Sequence, residues 1–411
     1  MAHTLSGCAR FFYDWEREMQ VESKENPYQI RKTFIIKPTM NCNLRCKYCF
    51  EFKKNGDYYD AHHLSIEYVE NFIHRAANIF PKSHILWLLH GGEPFITGPE
   101  YVRRLINCIK SANKEYDVDF QLAVQTNGTL LSDEYIKILE DNSDILSERV
   151  VSISLDGPQE INDKVRLTAG GASSFSNVVD GIRRIQKSRL DFSTISVIGA
   201  HNVDRPEDVY NFMKEMGARL CKFIPCYNFS DSGEAERFGI NPMQYAEFMC
   251  RVFDIWLHDL PKMPKEKCLV IDPIATILAK LSSVFVTWCE YRPEKCDNFV
   301  CLYPDGELWL CDTMDHMTMR DFGYIGNVKT LTDDEFKKVI VAPCKACRYT
   351  DFYGTMMETC RDCSIKTLCC GGCLPMRDIL GKKSPHLLED YCQAKKMLFS
   401  YLKRASDNAL S

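Results

Sequence analysis

A chain of 411 residues, 45% hydrophobic and 26% charged, has room for a large soluble core plus an appendage. Its formal net charge of -5 argues against a basic nucleic-acid surface. No run approaches the ~20 apolar residues of a membrane span, and Met1–Cys8 lacks a basic segment leading into an apolar one. Twenty-one cysteines in such a chain argue for metal ligation rather than a disulfide framework, which belongs to small secreted domains. Thiolates oxidise readily, so a reducing, anaerobic cytoplasm is the expected setting.

Residues 1–31 are polar without a clear period and are expected to form an N-terminal cap. From residue 32, strand and helix signals alternate. Apolar runs at Thr33–Ile36, Ile85–Leu89, Phe120–Val124, Val150–Leu155, Thr194–Ile198 and Cys221–Ile224 predict buried strands. Helical patterns fall near residues 65–79, 99–114, 132–141, 174–188 and 206–216. Strands joined by helices predict a parallel α/β sheet with right-handed crossovers, either an open (β/α)6 barrel or a doubly wound sheet.

The motifs at the strand ends favour the barrel. The first strand leads into Cys42-Asn43-Leu44-Arg45-Cys46-Lys47-Tyr48-Cys49, and the second into Gly91-Gly92-Glu93-Pro94. The third ends in Gln125-Thr126-Asn127-Gly128, and the fourth in Ser154-Leu155-Asp156-Gly157. One such motif alone is an ordinary turn; four in succession match a barrel that gathers its chemistry at the C-terminal strand ends. Three thiolates on one tight loop, Cys42, Cys46 and Cys49, can hold three irons of a 4Fe–4S cube and leave the fourth open. Zinc is the alternative, but it prefers four ligands, mostly in Cys-x2-4-Cys pairs.

A linker is expected at Asn228–Gly239. Residues 240–285 read as helices, with Tyr245, Phe248, Val252, Phe253 and Trp256 at core spacing. From Cys289 the chain turns cysteine-dense and strand-poor. The expected units are therefore a cap over 1–31, a barrel over 32–239, a helical region over 240–288 and a second domain over 289–411. Cysteines on apolar patterns, such as Cys108, Cys221 and Cys250, are read as inert core thiols. The pair Cys344-x2-Cys347 could replace a ligand or bind zinc, and Cys301 and Cys370 adjoin candidate ligands and could be exchanged with them.

With Tyr48 before its last cysteine, the loop resembles that of the radical S-adenosylmethionine (SAM) enzymes. Lys37-Pro38-Thr39, Gly-Gly-Glu-Pro, Gln125–Thr129, the Ser-Leu-Asp-Gly-Pro segment and Phe223-Ile224-Pro225 extend the likeness. Together they resemble the anaerobic sulfatase-maturating enzymes and their relatives over residues 32–400. Asn162 departs from the His that the family usually has there. The resemblance implies that Gly91, Gly92 and Glu93 hold the methionine part of SAM, with further contacts from Tyr48, Ser154, Arg166 and Tyr227. Arg166 could instead be a surface ion-pair residue.

Cys360-x2-Cys363-x5-Cys369-x3-Cys373, followed by Cys392 and preceded by Cys296, Gly306 and Cys311, resembles the SPASM domain. That likeness implies two auxiliary 4Fe–4S clusters, three in all. Cys289, Cys296, Cys311 and Cys373 would hold one, and Cys360, Cys363, Cys369 and Cys392 the other. Asp312, directly after Cys311, would be the general base; an Asp bonded to its own turn is the plainer possibility.

The implied activity is oxidation of a Cys or Ser side chain in a peptide or protein, forming formylglycine on a sulfatase through a 5′-deoxyadenosyl radical. The alternative within the class is thioether or carbon–carbon crosslinking of a ribosomally made precursor peptide. The segment Ala342–Glu358, with its extra Cys pair, favours crosslinking. The absence of an ~80-residue leader-binding domain before the barrel and the presence of Asp312 favour oxidation. Rivals outside the peptide class are a small-molecule dehydrogenase and a cluster-bearing electron carrier or structural zinc protein. The implied partners are the peptide substrate and a reductant such as ferredoxin or flavodoxin, with a monomer expected.

Overall fold

The computed structural model describes residues 30–51, 63–227, 237–262, 268–284, 286–314, 323–343, 354 and 356–410. Most of the expected cap, most of the expected linker, and Cys344 and Cys347 lie outside them.

Six parallel strands alternate with helices: β1 (Ile30–Ile36), α1 (Ile66–Ile79), β2 (Ser83–Leu89), α2 (Pro99–Glu115), β3 (Asp119–Thr126), α3 (Asp133–Asp141) and β4 (Leu146–Ser154). They continue with α4 (Phe175–Gln186), β5 (Asp191–Ile198), α5 (Pro206–Glu215) and β6 (Leu220–Pro225). Their spatial order is their chain order, each strand beside the next. A doubly wound sheet would reverse direction at a switch point. This one runs in a single sense, as an open barrel does.

Residue period decides which face each side chain takes. On β2, Ser83, Ile85, Trp87 and Leu89 are buried while the alternating residues are half-buried. Trp87 packs edge-on against Phe34 at 5.1 Å, Phe72 at 5.3 Å and Phe120 at 5.6 Å between ring centroids. These fully buried rings join β1, β2 and β3 to α1, and such burial stabilises by ~1.5–3 kcal/mol per side chain. Because α1 packs on the Trp87 face, the half-buried His84, Leu86 and Leu88 lie on the face that an open barrel turns to its lumen.

After β6 come α6 (Pro242–Asp259), β7 (Val270–Asp272), α7 (Ile274–Leu281), β8 (Phe299–Leu302), β9 (Glu307–Trp309) and β10 (Tyr324–Asn327). The last helices are α8 (Asp333–Val341), α9 (Leu374–Lys383) and α10 (Pro385–Leu410). Asn241 and Gln244 form a capping box at the start of α6, as Thr332 and Glu335 do for α8. Tyr245, Phe248, Val252, Phe253 and Trp256 of α6 are all buried, the packing role expected for them.

The short strands depart from the sequence-based expectation. β7 extends the sheet beyond β6, inside the region read as helical. β8 pairs in parallel with β1, placing Cys301 opposite Ile35 and Leu302 opposite Ile36. β9 and β10 add antiparallel strands, giving a ten-stranded sheet ordered β10-β9-β8-β1-β2-β3-β4-β5-β6-β7. The change in composition at residue 289 therefore does not interrupt the sheet. α10 returns across the molecule: Tyr401 donates to Asp254 of α6 at 2.8 Å, and Lys395 pairs with Glu290 at 2.5 Å.

Candidate active site

The cysteine loop is fixed from several sides by backbone. Arg45 N–H donates to Leu167 O at 2.7 Å and Lys47 N–H to Val165 O at 3.0 Å. Gly92 N–H and Glu93 N–H donate to Thr39 O and Asn41 O at 3.0 and 2.8 Å. A Cβ at Gly92 would run into the carbonyls of Met40 and Asn41, so only glycine lets this turn lie against the loop. From β3, the Asn127 amide donates to Asn43 Oδ1 at 2.8 Å and to Cys42 Sγ at 3.6 Å.

Within that frame Cys42, Cys46 and Cys49 act on one another electrostatically. Burial pushes the Cys42 thiol up to about 12 and raises Cys46 and Cys49. Every described cysteine in the chain is a free thiol.

Two polar groups flank the loop, each tied to it by one residue. On the β4–β5 side Tyr48 donates to Asp156 at 2.5 Å. Arg166 Nη2 meets the same carboxylate at 3.0 Å, and His201 Nε2 lies 3.4 Å from it. Val197 N–H donates to Asp156 at 2.9 Å. His201 stacks on Tyr48 with centroids 5.6 Å apart, and the Arg166 guanidinium lies 5.4 Å from that ring's centre. Burial alone would raise the Asp156 carboxyl, but Arg166 and His201 outweigh it and hold it well below the usual range. Arg166 Nε is buried without a hydrogen-bond partner in the protein. Ser154 ends β4 half-buried beside this group.

On the β8–β1–β2 side, Glu51 of the same loop pairs with Lys37, which continues β1 on its lumen face. Tyr303 Oη is 3.2 Å from Lys37 Nζ. His90, one residue past β2, has Nε2 3.9 Å from Glu51 and 3.7 Å from Asp312. Among the described residues, Glu51, His90 and Asp312 form the one trio of potential metal ligands whose donor atoms all lie within 4.8 Å of each other. Lys37, already on Glu51, fills the cation's role in that group. Burial, with Lys37 close by, brings His90 down to about 4, so its ring is neutral near pH 7. Cys301, buried on β8, feels both Lys37 and Asp312.

Two of the expected residues, Glu93 and Tyr227, make contacts that build the surrounding structure. Glu93 accepts from Phe95 N–H at 3.1 Å, Thr126 Oγ1 at 2.8 Å and Asn127 N–H at 2.7 Å. Its fully buried carboxylate therefore braces β2 against β3, and burial pushes it up to about 7. The turn's N–H groups at Gly92 and Glu93 are both spent on the cysteine loop. Tyr227 is buried edge-on to Tyr245 of α6 and Tyr391 of α10, a packing position. Sequence reasoning misses Asp156, His90 and His201, which carry much of the geometry. Each follows a predicted strand within a few residues, which is the one signal that points to them.

In the C-terminal region Cys289, Cys311 and Cys373 influence one another electrostatically, as Cys392 does Cys360, Cys363 and Cys369. Asp312 Oδ1 lies 3.9 Å from Cys311 Sγ. Cys370 donates to the Thr367 carbonyl at 3.3 Å. Tyr391 and Lys395 of α10 both bond Glu290, beside Cys289.

The model of the radical SAM superfamily matches residues 36–213. A cysteine-type anaerobic sulfatase-maturating enzyme of Clostridium novyi (strain NT) is 27% identical over 345 residues, 83% of this chain and 87% of the relative. A serine-type enzyme of Bacteroides thetaiotaomicron is 25% identical, covering 82% of this chain and 81% of its own. The solved structure of native anSMEcpe with bound AdoMet and Cp18Cys peptide superposes with a TM-score of 0.74 at 25% identity. It covers 92% of this chain and 99% of that one. Residues 36–213 are thus a radical SAM domain, carried in a chain similar over most of its length to anaerobic sulfatase-maturating enzymes of both types.

Proposed function

We propose that this protein oxidises a Cys or Ser side chain of a peptide or protein substrate, forming formylglycine on a sulfatase by radical SAM chemistry. The observation that carries this reading is Asp312. It follows Cys311 directly and faces His90 at the lumen mouth, in a chain similar over most of its length to sulfatase-maturating enzymes.

The donor set fits the groups required. Cys42, Cys46 and Cys49 are mutually adjacent thiols whose burial disfavours the free thiolate, and a positively charged iron cluster would reverse that. The orphaned Arg166 Nε offers a donor to an anionic or polar ligand group beside Cys46. Tyr48, Gly91, Gly92, Ser154 and Arg166 would hold SAM, with Glu93 bracing the turn. Bound there, the cluster and SAM would supply a 5′-deoxyadenosyl radical able to take hydrogen from the substrate.

The chain's own residues then handle the proton. Asp312 would accept it from the thiol or hydroxyl; a serine would give the aldehyde directly, and the thioaldehyde from a cysteine would take up water and release hydrogen sulfide. His90, kept neutral, would orient that carboxylate, and the Lys37–Glu51 pair would fix His90 in turn. Cys289, Cys296, Cys311 and Cys373 would hold a cluster next to Asp312, suited to receiving the electron. Cys360, Cys363, Cys369 and Cys392 would hold a second. The reading retains ferredoxin or flavodoxin as reductant, a monomer, a cytoplasmic setting and a cluster domain from residue 289. Among the described residues no helix is long and apolar enough to cross a membrane.

The test is anaerobic reconstitution with iron, sulfide, dithionite and SAM. Peptides carrying a sulfatase motif in Cys and Ser forms are then analysed by mass spectrometry. An aldehyde in either peptide is the expected product. Deoxyadenosine formed without any change in the peptides would overturn this function and favour the crosslinking alternative.

A further inference from the structure

Arg377 is a buried cation of the C-terminal module that no part of the proposed chemistry uses. It sits in the first turn of α9, four residues after Cys373, and is 4% exposed. An arginine is seldom buried to this degree without a partner. Here the partners include sulfur. Nη1 donates to Cys360 Sγ at 3.5 Å, to Cys392 Sγ at 3.8 Å and to Gly371 O at 3.3 Å. Nη2 donates to Thr359 Oγ1 at 2.6 Å. The Thr359 hydroxyl itself donates to the Met356 carbonyl at 2.7 Å, which leaves its oxygen to accept from the guanidinium. One planar fork thus joins the first and last cysteines of a set that spans residues 360 to 392. No carboxylate takes part in these contacts, so the charge is directed at the sulfurs.

We infer that Arg377 tunes the iron–sulfur centre that Cys360, Cys363, Cys369 and Cys392 would hold, raising its reduction potential. The inference rests on the proposed assignment of those four cysteines. A reduced cluster carries one more negative charge than an oxidised one. A fixed positive charge hydrogen-bonded to two of its thiolates therefore favours the reduced state. Groups that donate hydrogen bonds to a metal's ligands set both ligand orientation and metal electronics. In the other proposed set Cys311 lies beside the Asp312 carboxylate, and Cys289 is influenced by Glu290, Lys295 and Lys222.

The test uses the full-length protein, anaerobically reconstituted, as wild type, Arg377→Met and Arg377→Lys. Iron per chain is counted, and the clusters are followed by electron paramagnetic resonance through a reductive titration. Arg377→Met is expected to keep its iron and to weaken reduction of one centre at least tenfold, about 59 mV for one electron. The other centres should stay put. Arg377→Lys, which keeps the charge but not the fork, should shift the same centre less. Full iron with unmoved midpoints in both variants would overturn the inference, as would loss of iron in both, since Arg377 would then be scaffold alone. Should Arg377→Met alone lose iron, the midpoint of Arg377→Lys decides. A Cys360→Ala, Cys392→Ala double variant holding as much iron as wild type would instead overturn the assignment of the centre itself.

Discussion

The barrel and the C-terminal cysteine region hold their cysteines in opposite ways. In the barrel the strands run from six to nine residues, and backbone bonds from the turn after β2 and from residues 165–169 fix the loop before any cofactor is considered. In the C-terminal region β8, β9 and β10 have only three or four residues, and the helix between Cys363 and Cys373 has four. Buried charges, Lys395–Glu290 and Arg377 with its sulfurs, do there what the backbone ladder does in the barrel. The lesson is a division of labour. The barrel builds a preorganised reaction site, whereas the cysteine region depends on its ligands and buried charges for cohesion.

The sharpest way to break that comparison is to remove one cysteine from each side. Cys42→Ala should drop reductive formation of deoxyadenosine to the uncatalysed background while circular dichroism stays native. Cys360→Ala should keep deoxyadenosine formation and lose peptide oxidation. Equal effects of the two on deoxyadenosine would erase the distinction.

A smaller effect is expected at Asp156. Asp156→Asn leaves Arg166 buried without its counter-charge, and breaking such a pair costs ~3–5 kcal/mol. Denaturant unfolding of the apoprotein should register that loss in the barrel's transition. A change below ~1 kcal/mol would mean that water already screens the pair.

The first six strands and their helices are legible in the sequence because a parallel strand buried on both sides reads as a continuous apolar run. β7 to β10 are not, since three or four residues show no period, and β8 pairs with a strand more than two hundred residues earlier. The site divides similarly. Cys42, Cys46, Cys49 and Gly92 are legible because spacing and backbone demand narrow the choice. His90 is not, because one histidine before a glycine pair carries no local sign of what it will face. Asp156 lies inside a legible motif, yet its role depends on Arg166 and His201 arriving from other segments. Tyr227, placed by its neighbours alone, lies edge-on to Tyr245 of α6 and Tyr391 of α10.

His90 supplies the smallest prediction. With its folded value near 4 against an ordinary 6.5, the folded state binds fewer protons than the unfolded one. Its contribution is therefore intact above pH 6.5 and is lost as pH falls toward 4. Between pH 7.5 and 5.5 the apoprotein should lose roughly 1 kcal/mol that His90→Gln does not lose. Parallel melting curves of the two proteins at both pH values check this; identical losses would mean that His90 is not held neutral.

The measurement that bears most directly on the central claim is the coupling ratio of Asp312→Asn: oxidised peptide per deoxyadenosine, under single-turnover anaerobic conditions. Removing a general base costs ~10²–10⁴-fold, so deoxyadenosine should still form while oxidised peptide falls at least a hundredfold. An unchanged ratio would contradict the assignment of Asp312 and, with it, the claim that the lumen mouth is built to oxidise a peptide side chain.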